Sequence, residues 1–323
     1  MINTISENKS IALSYIRICA VSLIVLCHFC QAYDNRWAYI LNVGVQVFIA
    51  LSGFIYGHKI IDNWMIWYKK RFLKLYIPVF IFLTLSLPLY YIFHRDVFNV
   101  LGFLCNYCNL QGFPFVFGGI ELIPGTRHLW FLTAIALCYL STPLIQELKE
   151  KGTLLFPILC ILLLISYKFL PGTYAFIVSW VLLYSMGYMY ACSSEKYSII
   201  YLLAIAVTFI TILMFVRWDN LLAYFDKYGR LFHDLLGCLI LFGGFKFLCL
   251  YKNIRMNSFL SLIDKYSYHI YIIHYFFLIG PFSLAHITHN NYINILIAIV
   301  TIIAFTALLV YLSNSFVRTF INK

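Results

Sequence analysis

The sequence predicts an all-α, polytopic integral membrane protein of about ten transmembrane helices. Three observations lead there. Of the 323 residues, 63% are hydrophobic and only 11% are charged, whereas a soluble domain is nearer half apolar and a quarter charged. A chain this apolar has to take lipid as its solvent. Aromatic residues make up 19%, and Tyr and Trp favour the membrane–water interface. Finally, the apolar residues fall in runs of about 20, the length that crosses hydrocarbon as a helix.

The spans follow in chain order. The first, at about 11–31, succeeds a short polar N-terminus. It carries Arg17 and His28 and lacks a small-x-small cleavage site, so it reads as a permanent helix and not a signal peptide. The second, at about 40–58, and the third, at about 75–94, flank the most basic segment of the chain. A long connection, about 95–127, rich in Gly, Pro and aromatics, precedes the fourth span at about 128–146. Connections of that length are often functional, and this one suits a lid or an interfacial cap. The fifth and sixth, about 154–170 and 173–191, are parted only by Leu170-Pro171-Gly172, a turn signal. The seventh lies at about 198–216, the eighth at 231–250, the ninth at 267–286 and the last at 293–316. The expectation is one transmembrane domain over 1–323, with no appended soluble domain.

Ten spans put both termini on one side, and basic residues choose it. Fifteen of them, with Lys59, Lys69, Lys70, Arg71 and Lys74 prominent, fall in the loops and ends on the side of the termini. Seven, among them Arg36, Arg95, Arg127 and Arg217, fall on the other. By the positive-inside rule the termini are cytoplasmic. The formal net charge of +11 is therefore read as topology. No basic tract with interleaved aromatics stands clear of the apolar runs, which excludes nucleic acid as a partner and leaves membrane lipids.

The chemistry starts on the first helix. Arg17 and His28 are eleven residues apart, which at about 100° per residue returns to nearly the same face. Their axial separation is roughly 16 Å, so Arg17 sits toward the cytoplasmic side and His28 toward the outer side. An Arg facing lipid inside a helix costs at least about 2.5–3.5 kcal/mol. Arg17 therefore faces protein, water or a ligand, or snorkels to the interface. His28 alone is equally a structural histidine bonded to another helix. Together they read as the two ends of a polar passage.

The stretch from Arg17 to His28 resembles the Arg-x10-His signature of the acyltransferase-3 family, membrane-bound O-acyltransferases that mostly modify bacterial surface polysaccharides. Further segments resemble that family in order. They are Val47-Phe48-Ile49-Ala50-Leu51-Ser52-Gly53-Phe54, the basic Pro-ended run from Lys70 and Arg71 through Lys74 to Pro78, Arg127-His128-Leu129-Trp130-Phe131-Leu132, and Tyr266 to His274. The resemblance covers about 14–274. One position departs from it: the family's Arg-x2-Arg core has Arg at both ends, and here the second is Lys74. Lys holds a phosphate as a point charge, without the bidentate geometry of Arg.

The resemblance implies acyl transfer across a bacterial cytoplasmic (inner) membrane. The donor would be cytoplasmic acetyl-CoA or another acyl-CoA, as co-substrate, with no bound cofactor and no metal. The acceptor would be a hydroxyl of a polysaccharide or lipid-linked sugar on the outer side. His28 would be the general base, suited to neutral pH, and Arg17 would stabilise donor charge or orient the thioester. Arg71, Lys70 and Lys74 would hold CoA phosphates, although the positive-inside rule alone would place basic residues there. Ser52 would be a polar contact for the donor, while Gly53 reads as a close-packing position. His128, Trp130, Glu121 and His274 would line the acceptor side, with His274 expected near mid-membrane. Trp130 also reads as an interface anchor and His274 as a helix-to-helix bond.

Ten cysteines include Cys27-x2-Cys30 and Cys105-x2-Cys108. Most lie in spans, where Cys acts as a small apolar residue. A disulfide between Cys105 and Cys108 stays open on sequence, as does oligomeric state. A transporter or flippase is the rival class, because ionisable residues inside a membrane often mark a substrate path. No internal repeat or pair of broken helices supports it.

Overall fold

The computed structural model describes residues 7–113, 120, 122–149, 152–215, 227–251 and 254–320. It is 82% helical, without a strand among the described residues. The α-helices are α1 (Glu7–Ala32), α2 (Trp37–Leu41), α3 (Gly44–Gly57), α4 (Trp64–Phe93), α5 (Val100–Tyr107), α6 (Trp130–Leu148), α7 (Gly152–Phe169), α8 (Gly172–Cys192), α9 (Glu195–Phe215), α10 (Lys227–Cys249), α11 (Ser258–Leu278) and α12 (Asn291–Phe320), with a 3₁₀ turn over Arg127–Leu129 before α6. Eight helical stretches are long and apolar enough to cross a membrane, and α7 adds a shorter apolar run over Leu155–Phe169. The protein is thus an integral membrane protein. Helices α9 and α12 keep large apolar side chains outside, Val207 at 63% and Leu296 at 62% exposure, a surface that only lipid covers without cost.

Two predicted spans begin earlier in the structure: the third, expected at about 75–94, falls in α4, which starts at Trp64, and the ninth shifts as well. The apolar run at 267–286 predicts a helix there, yet α11 starts nine residues earlier, at Ser258. The cause is local. The side chain of Asn257 accepts a hydrogen bond from Leu260 N at 2.8 Å, an N-cap that starts the helix. Beyond its end, Gly280 takes a left-handed backbone (φ 106°) with Pro281 following it, a combination that stops helices. The shift brings Asp264 and Lys265 into the helix.

The chain forms two compact units. The first takes its described residues from 1–24, 39–64 and 134–264. Its centre is the contact of α3 with α8, where glycine lets two backbones touch. A Cβ on Gly53 would collide with the carbonyl of Tyr184, and one on Gly187 with the carbonyl of Ala50. Small residues at a helix crossing permit this approach, as the packing reading of Gly53 anticipates. Polar ties inside the unit include Thr142 to Tyr184 at 2.9 Å, and the Tyr167 hydroxyl, which donates to Asp234 at 2.6 Å.

The second unit takes its described residues from 25–38, 65–133 and 265–323. Here the 95–127 connection has fixed structure over its described parts. Asn99 caps α5 by accepting from Leu101 N and Gly102 N. Asn106 donates to Thr126 at 2.9 Å, Gln111 to the carbonyl of Leu129 at 2.7 Å, and Gly112 N to the hydroxyl of Thr133 at 3.0 Å. The last two of these bonds pin the connection to the start of α6. Gly125, also left-handed (φ 84°), meets Gly280 backbone to backbone, so a side chain fits at neither position.

Candidate active site

Within the second unit, the last turns of α1 and α11 meet. His28 lies four residues before the end of α1, and His274 lies four before the end of α11. The expectation of His274 near mid-membrane rested on a helix over 267–286, whereas α11 ends at Leu278. Nδ1 of His28 and Nε2 of His274 are 2.8 Å apart.

The proton positions in this pair follow from the partners. Nδ1 of His274 lies 2.8 Å from the carbonyl of Tyr271 and 3.1 Å from that of Ile270. A carbonyl only accepts, so Nδ1 of His274 carries the hydrogen. In a neutral imidazole the other nitrogen, Nε2, is then the acceptor, and the hydrogen between the rings belongs to Nδ1 of His28. Nε2 of His28 is left as a lone-pair nitrogen. His28 is only half-buried, whereas His274 is fully buried. The arrangement presents one basic nitrogen, oriented by a second histidine that is itself oriented by backbone. Chemically, this is how a general base is built: a base held in one tautomer by a third group.

His128 completes the cluster. The 3₁₀ turn that carries it is fastened to α11 twice, through His128 Nε2 to the carbonyl of Ile272 at 3.1 Å and through the Tyr271 hydroxyl to the carbonyl of His128. By the same argument Nε2 carries the hydrogen and Nδ1 the lone pair. That nitrogen is buried and has no hydrogen-bond partner among the described residues. Tyr275 sits between the rings, stacked on His128 (centroids 4.6 Å) and edge-on to His28 (4.6 Å). Among the described residues, no three His, Cys, Asp or Glu side chains are arranged to hold a metal ion. The cysteines are all free, Cys105 and Cys108 included.

The basic segment belongs to the same unit. Lys70 and Lys74 are exposed and Arg71 is half-buried on the early turns of α4. The next residue, Leu75, accepts a hydrogen bond from the hydroxyl of Tyr268 at 2.7 Å, which ties α4 to α11. Tyr268 precedes His274 by six residues, about 9 Å along the helix. Trp130 is half-buried at the start of α6. Glu121 lies outside the described residues.

Two predicted site residues belong to the first unit. Arg17 donates from Nη1 to Asp264 at 2.5 Å, with both side chains largely buried (28% and 16% exposed). The hydroxyl of Ser52 donates back to the carbonyl of Phe48 at 2.8 Å.

Sequence reasoning missed Asp264, Tyr271 and Tyr275 as site residues. A signal existed: Asp264, Tyr268, Tyr271 and Tyr275 recur at steps of four, three and four, one stripe along a helix. A family model described as an acyltransferase domain (acyltransferase-3) matches residues 10–314. No curated protein and no solved structure matches the chain.

Proposed function

The chain belongs to the acyltransferase-3 family, and from that premise we propose that it is an O-acetyltransferase of a bacterial cytoplasmic membrane. The donor is cytoplasmic acetyl-CoA, used as co-substrate without a resident cofactor. The acceptor is a hydroxyl of a cell-envelope polysaccharide or lipid-linked sugar on the outer side.

The observation that carries this reading is the lone-pair nitrogen Nε2 of His28, fixed by its bond to His274. In the proposed step, the acceptor hydroxyl gives its proton to Nε2 while its oxygen attacks the thioester carbonyl. The tetrahedral intermediate then collapses, the C–S bond breaks, and the departing thiolate takes that proton from His28. Between the two transfers His28 is an imidazolium, whose Nδ1–H still meets the lone pair of His274. The products are the acyl ester and CoA, with no net change in protons.

Lys70, Arg71 and Lys74 take the phosphates of the donor. The tie between Leu75 and Tyr268 supports this, because α11 leads from there to His274 within about 9 Å. His128 and Trp130 face the acceptor, and Glu121 joins them on sequence grounds. Arg17 orients the donor with the guanidinium N–H groups not used on Asp264, and Ser52 offers its oxygen lone pairs.

The test is calorimetric titration of the purified protein in detergent with CoA and acetyl-CoA. Saturable binding, weakened roughly tenfold or more by Arg71→Ala through loss of charged hydrogen bonds, is expected. A folded protein that binds neither ligand overturns the reading.

A further inference from the structure

A second place in the molecule has the makings of a binding site. In the first unit, an open pocket of about 500 Å³ lies where helix ends gather: the first turn of α1, the ends of α3, α8 and α10, and the start of α9. Its cations are Lys9, exposed on α1, and Lys246, half-buried in the last turn of α10. Among the described residues, neither lysine has a carboxylate oxygen within 4.0 Å. Glu195 is the one carboxylate that lines the pocket. His58 adds an imidazole that packs edge-on against Phe54 (5.0 Å). Burial first, and the charge of Lys9 second, push its pKa below the ordinary histidine value.

The walls differ from the mouth. Phe54, Phe245 and Leu250 supply apolar surface, and Tyr190 adds a ring stacked on Phe242 at 3.9 Å. Around the pocket, Phe247 in the last turn of α10 (57% exposed) and Leu250 (80%) and Tyr251 (54%) just after that helix stand outward. Exposed apolar and aromatic side chains at the ends of spanning helices lie at the depth of the lipid headgroups. The site therefore combines two lysines against one carboxylate, a net positive charge, with an apolar wall that continues onto a lipid-facing surface.

We propose that this pocket binds the phosphate of an anionic amphiphile, a membrane phospholipid, with Lys9 and Lys246 on the phosphate and Phe54, Phe245 and Leu250 against the apolar portion. Basic pockets between helices at a membrane face recognise anionic headgroups in this way. The proposal is independent of acyl transfer: none of these residues belongs to the histidine cluster or to the basic segment of α4. A soluble phosphate would be held by the same cations, and the experiment separates the two sources.

The full-length protein in neutral detergent is titrated with phosphatidylglycerol, phosphatidylcholine, CoA and inorganic phosphate, and its thermal midpoint is followed. Saturable stabilisation by phosphatidylglycerol and not by phosphatidylcholine is expected. The Lys9→Gln/Lys246→Gln double variant should raise the half-saturating concentration roughly tenfold or more. A control double variant, Lys168→Gln/Lys196→Gln, should leave it unchanged. Glu195→Gln should lower it several-fold by removing the opposing carboxylate, which gives a gain that a misfolded variant cannot mimic. Stabilisation by CoA or inorganic phosphate that the Lys9/Lys246 variant loses keeps the phosphate site and makes its source soluble. Equal response to both phospholipids, or equal loss in the control variant, overturns the proposal.

Discussion

Arg17 and His28 share α1 but belong to different units, and the structure treats them differently. In the first unit, Arg17 meets the carboxylate of Asp264 at 2.5 Å, so its charge is compensated on the spot. In the second unit, His28 meets another imidazole, which takes one hydrogen bond and leaves the outer nitrogen of His28 a free base. A guanidinium held by a carboxylate costs less to keep inside a membrane, but it does not exchange protons near neutrality. An imidazole held in one tautomer presents a lone pair that accepts a proton. Arg17 and His28 look like equals in the sequence; in the structure one suits fixed charge and the other suits proton transfer.

The widest test of that contrast is His28→Ala. Loss of a general base should lower the rate of acyl transfer by about 10²–10⁴-fold, with the thermal midpoint close to that of the parent. Near-parental turnover would remove the assignment of the basic nitrogen. His274 touches no reacting atom in this scheme and acts through His28, as a positioning residue. His274→Ala should lower kcat by roughly 10–100-fold with KM little changed, less than loss of the base itself. His274→Gln should recover part of the loss, because its amide oxygen can accept from Nδ1 of His28. Equal defects in the Ala and Gln variants would mean that His274 serves packing alone.

Much of this was legible in the residues. The fold class followed from composition, and the pair on α1 followed from an eleven-residue spacing that any helix brings to one face. The pairing of His28 with His274 was not legible, because it depends on two helices ending at the same level. The end of α11 is set by Gly280 and Pro281, while hydropathy alone carries the span on to 286. The same displacement hid Asp264, which falls outside a helix begun at 267 and inside one begun by the Asn257 cap at 258. Apolar runs locate spans well and their ends poorly, since the ends are decided by caps and turns of one or two residues. The function of Lys74 stayed ambiguous for another reason: topology and phosphate binding ask for the same charge in the same place.

The remaining prediction concerns Arg17 and is the smallest. Asp264→Asn leaves the guanidinium of Arg17 beside a neutral amide, and Arg17→Leu leaves the carboxylate alone. Each should lower the thermal midpoint, but the pair is partly exposed, so solvent screens it and the loss stays below that of a fully buried pair. The Arg17→Leu/Asp264→Leu double variant should be more stable than the sum of the single losses implies, with a coupling of about 1–2 kcal/mol in a double-mutant cycle. Catalysis separates what stability does not. If Arg17 orients the donor, the double variant should raise KM for acetyl-CoA even where its fold is as stable as the parent's. A double variant with parental KM would make the Arg17–Asp264 pair a purely structural device, and all the chemistry of α1 would then reside at the His28 end.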